Sequence, residues 1–244
     1  MKLVSHQFLA LFGGVALIFA GCEQQASQSQ VEQVTLQERL LSQPNPTNYE
    51  FDATVSGVTN AIRKAFDKWQ EEQTKKYQKK EWEGASDATT KHSLTLALQS
   101  SGLVSLFFKG DADALSKNLL TKAGNENDAY LFGSTSSLGE SQVYFKDGQP
   151  LIYYADFHIH LVAIGPQKTR VEISTYGSRV VAGLDKSWSP HGPSLIFVEV
   201  PPTTIEQYQI LLGIGQQLGT TNMPPLVTPG PDAPVKELTL PRER

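Results

Sequence analysis

One stretch of the chain limits the fold more than any other. From Leu151 to Ala163 every second residue is apolar: Leu151, Tyr153, Ala155, Phe157, Ile159, Leu161 and Ala163. Strand side chains alternate between faces with a period of two, so this run predicts a long strand with one face in a core. The opposite face carries Ile152, Tyr154, Asp156, His158, His160 and Val162, which suits a wet or partly wet surface. A strand with one apolar face needs neighbouring strands and a covering layer.

The surrounding sequence predicts both. Alternation or β-rich composition marks strands at 49–54, 94–98, 103–109, 129–133, 142–146, 169–181 and 194–200. Asp147-Gly148 and Gly165-Pro166 are turn signals between the later ones, and residues 103–109 are the expected hairpin partner of 94–98. Val58, Ile62, Ala65, Phe66, Trp69 and Tyr77 fall at helical spacing behind Ser56, a candidate N-cap. A short helix is expected from Asp111 or Asp113 to Gly124. Thr203 or Thr204 is placed to cap a final helix carrying Ile205, Tyr208, Leu211, Leu212 and Leu218. Short connections favour neighbouring strands. The expected fold is therefore α+β, an antiparallel sheet with a long N-terminal helix and a C-terminal helix packed on it. This order resembles helix-grip folds, which implies a curved sheet wrapped around a helix.

The ends read differently. Lys2 precedes an apolar run from Phe8 to Ala20. At about 13 residues it is short of the roughly 20 that span a bilayer and fits a signal-peptide core. It ends in Phe19-Ala20-Gly21-Cys22, which resembles the lipobox of bacterial lipoproteins, although Phe19 stands where Leu, Val or Ile is more usual. The resemblance implies cleavage before Cys22, acyl chains such as palmitate on that cysteine, and a membrane anchor. Glu23 in place of Asp implies outer-membrane retention in a Gram-negative host. Cys22 is the only cysteine, so no internal disulfide exists. The expected organisation is a signal peptide over 1–21, a lipidated cysteine and flexible tether over 22–48, one domain over 49–219, and a Pro-rich disordered tail over 220–244.

Chemistry in the sequence is sparse. A formal charge of -4 with no basic block argues against nucleic-acid partners. Asp156-Phe157-His158-Ile159-His160 resembles the Asp-x-His-x-His string of amidohydrolase-type metal barrels, which implies a metal-dependent hydrolase. Such a barrel needs about 250 residues and ligands on later strands, and too little chain follows His160 for them. If residue 164 pairs with 170, His160 faces Ser174 and His158 faces Tyr176, both poor zinc ligands. Tyr154, Asp156, His158, His160 and Tyr176 are accordingly read as a recognition face with neither metal nor cofactor. The loop Phe132-Gly133-Ser134-Thr135-Ser136-Ser137-Leu138-Gly139 has neither a nucleophile elbow nor a phosphate-loop lysine. Lys75, Lys76, Lys79 and Lys80 read as a solvated helix end, Trp69 and Trp82 as core and core edge, and Trp188 as a loop contact.

Three functions remain open at this level. One is a non-enzymatic envelope lipoprotein that binds envelope proteins or supports assembly. A second is a carrier or sensor for a small apolar ligand, and a third is a hydrolase on the histidine face. A filled core would favour the first, an apolar cavity the second, a convergent polar pocket the third.

Overall fold

The computed structural model describes residues 32–79, 105–109, 127–134, 140–185 and 194–242. The leader, Cys22, the expected strand at 94–98, the expected helix ending near Gly124, Trp82, Trp188 and most of the 132–139 loop lie outside them. Among the described residues the chain forms a nine-stranded antiparallel sheet and two helices.

The predicted long strand is real and has a partner one residue longer. β6 (Gln149–Gly165) and β7 (Lys168–Asp185) form a hairpin that is the spine of the sheet. Tyr153, Ala155, Phe157, Ile159 and Leu161 are buried on its inner face, as their alternation demands. Shorter strands share its two edges. β4 (Ala129–Ser134) and β5 (Glu140–Lys146) both pair with β6, and β2 (Asn48–Phe51) and β8 (Ser194–Glu199) both pair with β7. β3 (Ser105–Phe108) continues outward from β4, its only partner among the described residues. Asp147 and Gly148, both at positive φ, make the tight β5–β6 turn.

A bulge lets β7 change partners. Opposite β6 the register slips between Tyr154 and Asp156, and Gly177 takes a φ of 65°. A glycine at positive φ bends and twists a strand at such a bulge. The next residue, Ser178, donates from Oγ to the Val200 carbonyl at 2.6 Å and accepts from Val200 N–H at its own carbonyl. The chain leaving β8 is thereby fastened to the spine.

The expected tether and tail are corrected by two strands. β1 (Gln33–Arg39) lies between β5 and β9 (Val235–Pro241), and β1 pairs with β9 along its whole length. Leu36 sits opposite Leu238, and both are buried. β9 in turn meets β8 through a bridge between Arg242 and Val198, so the sheet curls almost onto itself. Arg242 also forms ion pairs with Glu32 and Asp185 across that seam. Buried Asn45 ties the remaining flanks together. Its side chain exchanges two hydrogen bonds with the Val227 backbone, at 2.7 and 2.9 Å, and its N–H donates to Thr204 Oγ1. The domain therefore takes in residues that composition assigns to a tether and a tail.

Two helices pack on each other and against β2, β6 and β7. α1 (Val55–Lys79) is capped by Thr54 rather than Ser56: Thr54 Oγ1 accepts from Gly57 N–H at 3.1 Å, and its carbonyl accepts from Val58 N–H. Val58, Ala61 and Ile62 are buried, and Phe66 and Trp69 pack partly buried against the core. α2 (Thr204–Leu218) has Thr203 as N-cap and Gly219, in the left-handed conformation, as its stop. Ile205, Tyr208, Leu211 and Ile214 are all fully buried.

Candidate functional site

The spine hairpin presents a polar site outside and an apolar one inside. The outer site gathers His158, His160 and Asp128. Because Ala129 pairs with Ile159 and Tyr130 with His158, Asp128 falls across from His160. Its carboxylate is completely buried and held on three sides. His160 Nδ1 lies 2.9 Å from both oxygens, His158 Nε2 lies 3.1 Å from Oδ2, and Leu161 N–H donates to Oδ1 at 3.2 Å. The ring of His158 stacks on Tyr130, with centroids 4.7 Å apart. The Asp128 carbonyl accepts from Lys109 N–H, which fixes the backbone beneath the cluster. One ligand atom from each of the three side chains lies within 4.8 Å of the others.

This corrects the expected face in several respects. The carboxylate beside the histidines is Asp128, not Asp156. Asp156 lies farther along the strand, opposite Tyr176, whose phenol is pushed up by burial first and by the Asp156 charge second. The register is also two residues off the expectation: His160 faces Glu172 and His158 faces Ser174. A shift of two preserves the faces, so the histidines stay on the outer side. Tyr154 is 5% exposed and packs edge-on against Phe197, so it is no part of an exposed patch. Tyr176 remains exposed. A cleft beside the histidines is lined by Thr47, Asn48, Glu172 and Ser174.

The inner site is a partly open cavity of about 250 Å³ between α1, α2 and the sheet. Ile62, Phe66 and Trp69 line it from α1, Leu106 and Leu131 from β3 and β4, Phe157 and Ile159 from β6, and Ile210 and Ile214 from α2. One buried ionisable group, Glu206, also lines it. Thr203 and Glu206 form a capping pair in the Thr-x-x-Glu pattern. Thr203 Oγ1 accepts from Ile205 N–H and donates to Glu206 Oε2. The other oxygen, Oε1, is buried and has no hydrogen-bond partner among the described residues. Burial pushes the Glu206 carboxyl above its ordinary value, more than the Thr203 hydrogen bond lowers it. Nearby, burial and then the charge of Glu206 push up the phenol of Tyr153.

Sequence reasoning missed both carboxylates as site residues. For Glu206 the capping pattern was a local signal for the helix start, but nothing local announced the cavity. For Asp128 the only signal was the β4–β6 register, which short-range pattern does not supply. Among the described residues no helix is long and apolar enough to cross a membrane. No family model, no curated protein and no solved structure matches the chain.

Proposed function

We propose that the protein is a membrane-anchored binding protein for a small, mainly apolar ligand that carries a hydrogen-bond acceptor. The observation that carries this reading is the apolar cavity with Glu206 in its lining, whose Oε1 has no hydrogen-bond partner among the described residues. An apolar cavity of about 150 Å³ is enough to bind benzene. The present one has room for a substituted ring or a short acyl chain. Its apolar lining provides the affinity, and one polar group sets the orientation.

The chemistry of Glu206 defines which polar group the ligand brings. A neutral carboxylic acid has one acceptor oxygen and one donor hydroxyl. Oε2 already accepts from Thr203, which leaves Oε1–H as a donor. Burial favours that neutral form. The matching ligand group is a carbonyl, ester or acid oxygen. In this reading lipid on Cys22 holds the domain at a membrane, where apolar ligands are concentrated. The protein-binding or assembly role falls behind it, because that role goes with a filled core.

The test uses 2-octanone and n-octane as probes, followed by tryptophan fluorescence, since Trp69 lines the cavity. The ketone binds more tightly than the alkane to the native chain. Glu206→Gln keeps an N–H donor and keeps the preference. Glu206→Leu removes it, a loss of about tenfold for one hydrogen bond of roughly 1.4 kcal/mol. Equal binding of ketone and alkane to the native chain would refute the proposed role of Glu206. For the anchor, Cys22→Ser moves the protein out of the membrane fraction or leaves it unprocessed, and an unmodified Cys22 thiol in the mature protein, seen by mass spectrometry, would refute it.

A further inference from the structure

We propose that Asp128, His158 and His160 form a binding site for a first-row divalent cation of the zinc type, separate from the inner cavity. Two imidazoles and one carboxylate are a donor set that such ions accept, and three protein ligands leave a fourth position for water. The spacing fits. With bonds of about 2.0–2.1 Å, the ligand atoms of a tetrahedral zinc site stand about 3.4 Å apart. Here His158 Nε2 and His160 Nδ1 stand 3.1 and 2.9 Å from Asp128 Oδ2, so those two separations need to open by only a few tenths of an ångström, and one ligand nitrogen of each ring lies within 4.8 Å of the other's.

The three side chains are also held in place before any ion arrives. The histidines sit on consecutive outward positions of β6, the longest strand but one. His158 is braced by the Tyr130 ring, and Asp128 by Leu161 N–H at one oxygen and by Lys109 N–H at its own carbonyl. A carboxylate oriented by a backbone donor is the kind of support that fixes a metal ligand. Both histidines are partly exposed, with side chains 20% and 34% accessible, which gives an ion a route in. The cleft beside them, with Glu172 and Ser174 on the facing strand, leaves space for a water or a small anion on the ion. Without an ion, the same nitrogens hydrogen-bond the carboxylate. Binding therefore requires each imidazole to carry its proton on the other ring nitrogen.

The experiment uses the full chain with Cys22→Ser, so that no thiol contributes, stripped with a chelator and titrated calorimetrically with zinc. One equivalent binds. The double variant His158→Gln/His160→Gln binds at least about 100-fold more weakly, as expected when ligands and not merely their supports are removed. Cobalt gives an independent readout, a visible absorption band of low-symmetry coordination that the double variant lacks. Should the double variant fold poorly by circular dichroism, His160→Gln alone, at the more exposed position, carries the comparison. Absence of stoichiometric zinc binding overturns the proposal, and so does binding that the substitutions leave unchanged. In either case the cluster is a hydrogen-bonded Asp–His–His group only.

Discussion

The two faces of β6 treat a buried carboxylate in opposite ways. On the outer face Asp128 is completely buried and saturated: two imidazoles and a backbone N–H surround it. On the inner side, Glu206 of α2 is 3% exposed and half satisfied, with one oxygen on Thr203 and the other without a partner among the described residues. A buried polar group left unpaired costs about 1–3 kcal/mol. A fold keeps one most readily where a partner arrives from outside the chain. The saturated group is fixed in position and suits a cation beside it. The unsaturated one, lying in an apolar cavity, suits a ligand that completes it. The same spine thus separates a site built of nitrogen and oxygen ligands from a site built of hydrocarbon.

The contrast requires that the sheet has an inside, and the largest expected effect tests that. Leu36 on β1 is 1% exposed, opposite Leu238. Leu36→Ala should cost about 2–5 kcal/mol in urea unfolding, as for other buried leucines. A change under about 0.5 kcal/mol would return residues 33–39 to a loose tether. Next comes the saturated carboxylate. Asp128→Asn turns an amide group toward groups that were all donors, and about 2–3 kcal/mol should be lost.

The smallest effect belongs to the half-satisfied carboxylate. Glu206→Gln keeps an oxygen for Thr203 and should change stability at neutral pH by less than about 1 kcal/mol. Its signature is in the pH profile. The folded-state pKa of Glu206 is raised above 4.5. The native state therefore binds the proton more tightly than the unfolded chain. That stabilisation is fully present below the unfolded value and is lost as pH rises through the folded one. Unfolding midpoints measured upward from pH 4.5 should fall less in Glu206→Gln than in the native chain. Parallel profiles would mean that Glu206 is ionised in the fold, and would remove the donor from the cavity.

The spine was legible because its information is local. Alternation over Leu151–Leu161 and the Asp147-Gly148 turn specify β5, β6 and their faces without reference to distant chain. α2 was equally legible, with Thr203 before Ile205 and Gly219 after Leu218. β1 was not. Its inward apolar residues are only Val34 and Leu36, set among Gln33, Thr35 and Gln37, and its full-length partner lies some two hundred residues away. Nothing in a Gln- and Ser-rich stretch says that such a partner exists. The histidine pair was visible at its spacing of two, but its carboxylate was sought on the same strand, at Asp156. Strand geometry places like-facing neighbours about 6.5–7 Å apart along a strand and opposite residues closer across it. That is why cross-strand Asp128, not Asp156, reaches both rings.

The central claim is that the inner cavity holds a ligand, and filling it is the most direct test. Ala65 lines the cavity from α1. Ala65→Phe places a ring in that space from a different helix than the one carrying Glu206, and leaves the residues of the outer cluster unchanged. Calorimetric titration of the native chain with 2-octanone should give a saturable isotherm with one site. The same titration of Ala65→Phe, with its thermal unfolding midpoint unchanged or raised, should give none. Undiminished binding in a folded Ala65→Phe protein would place the ligand elsewhere and contradict the account.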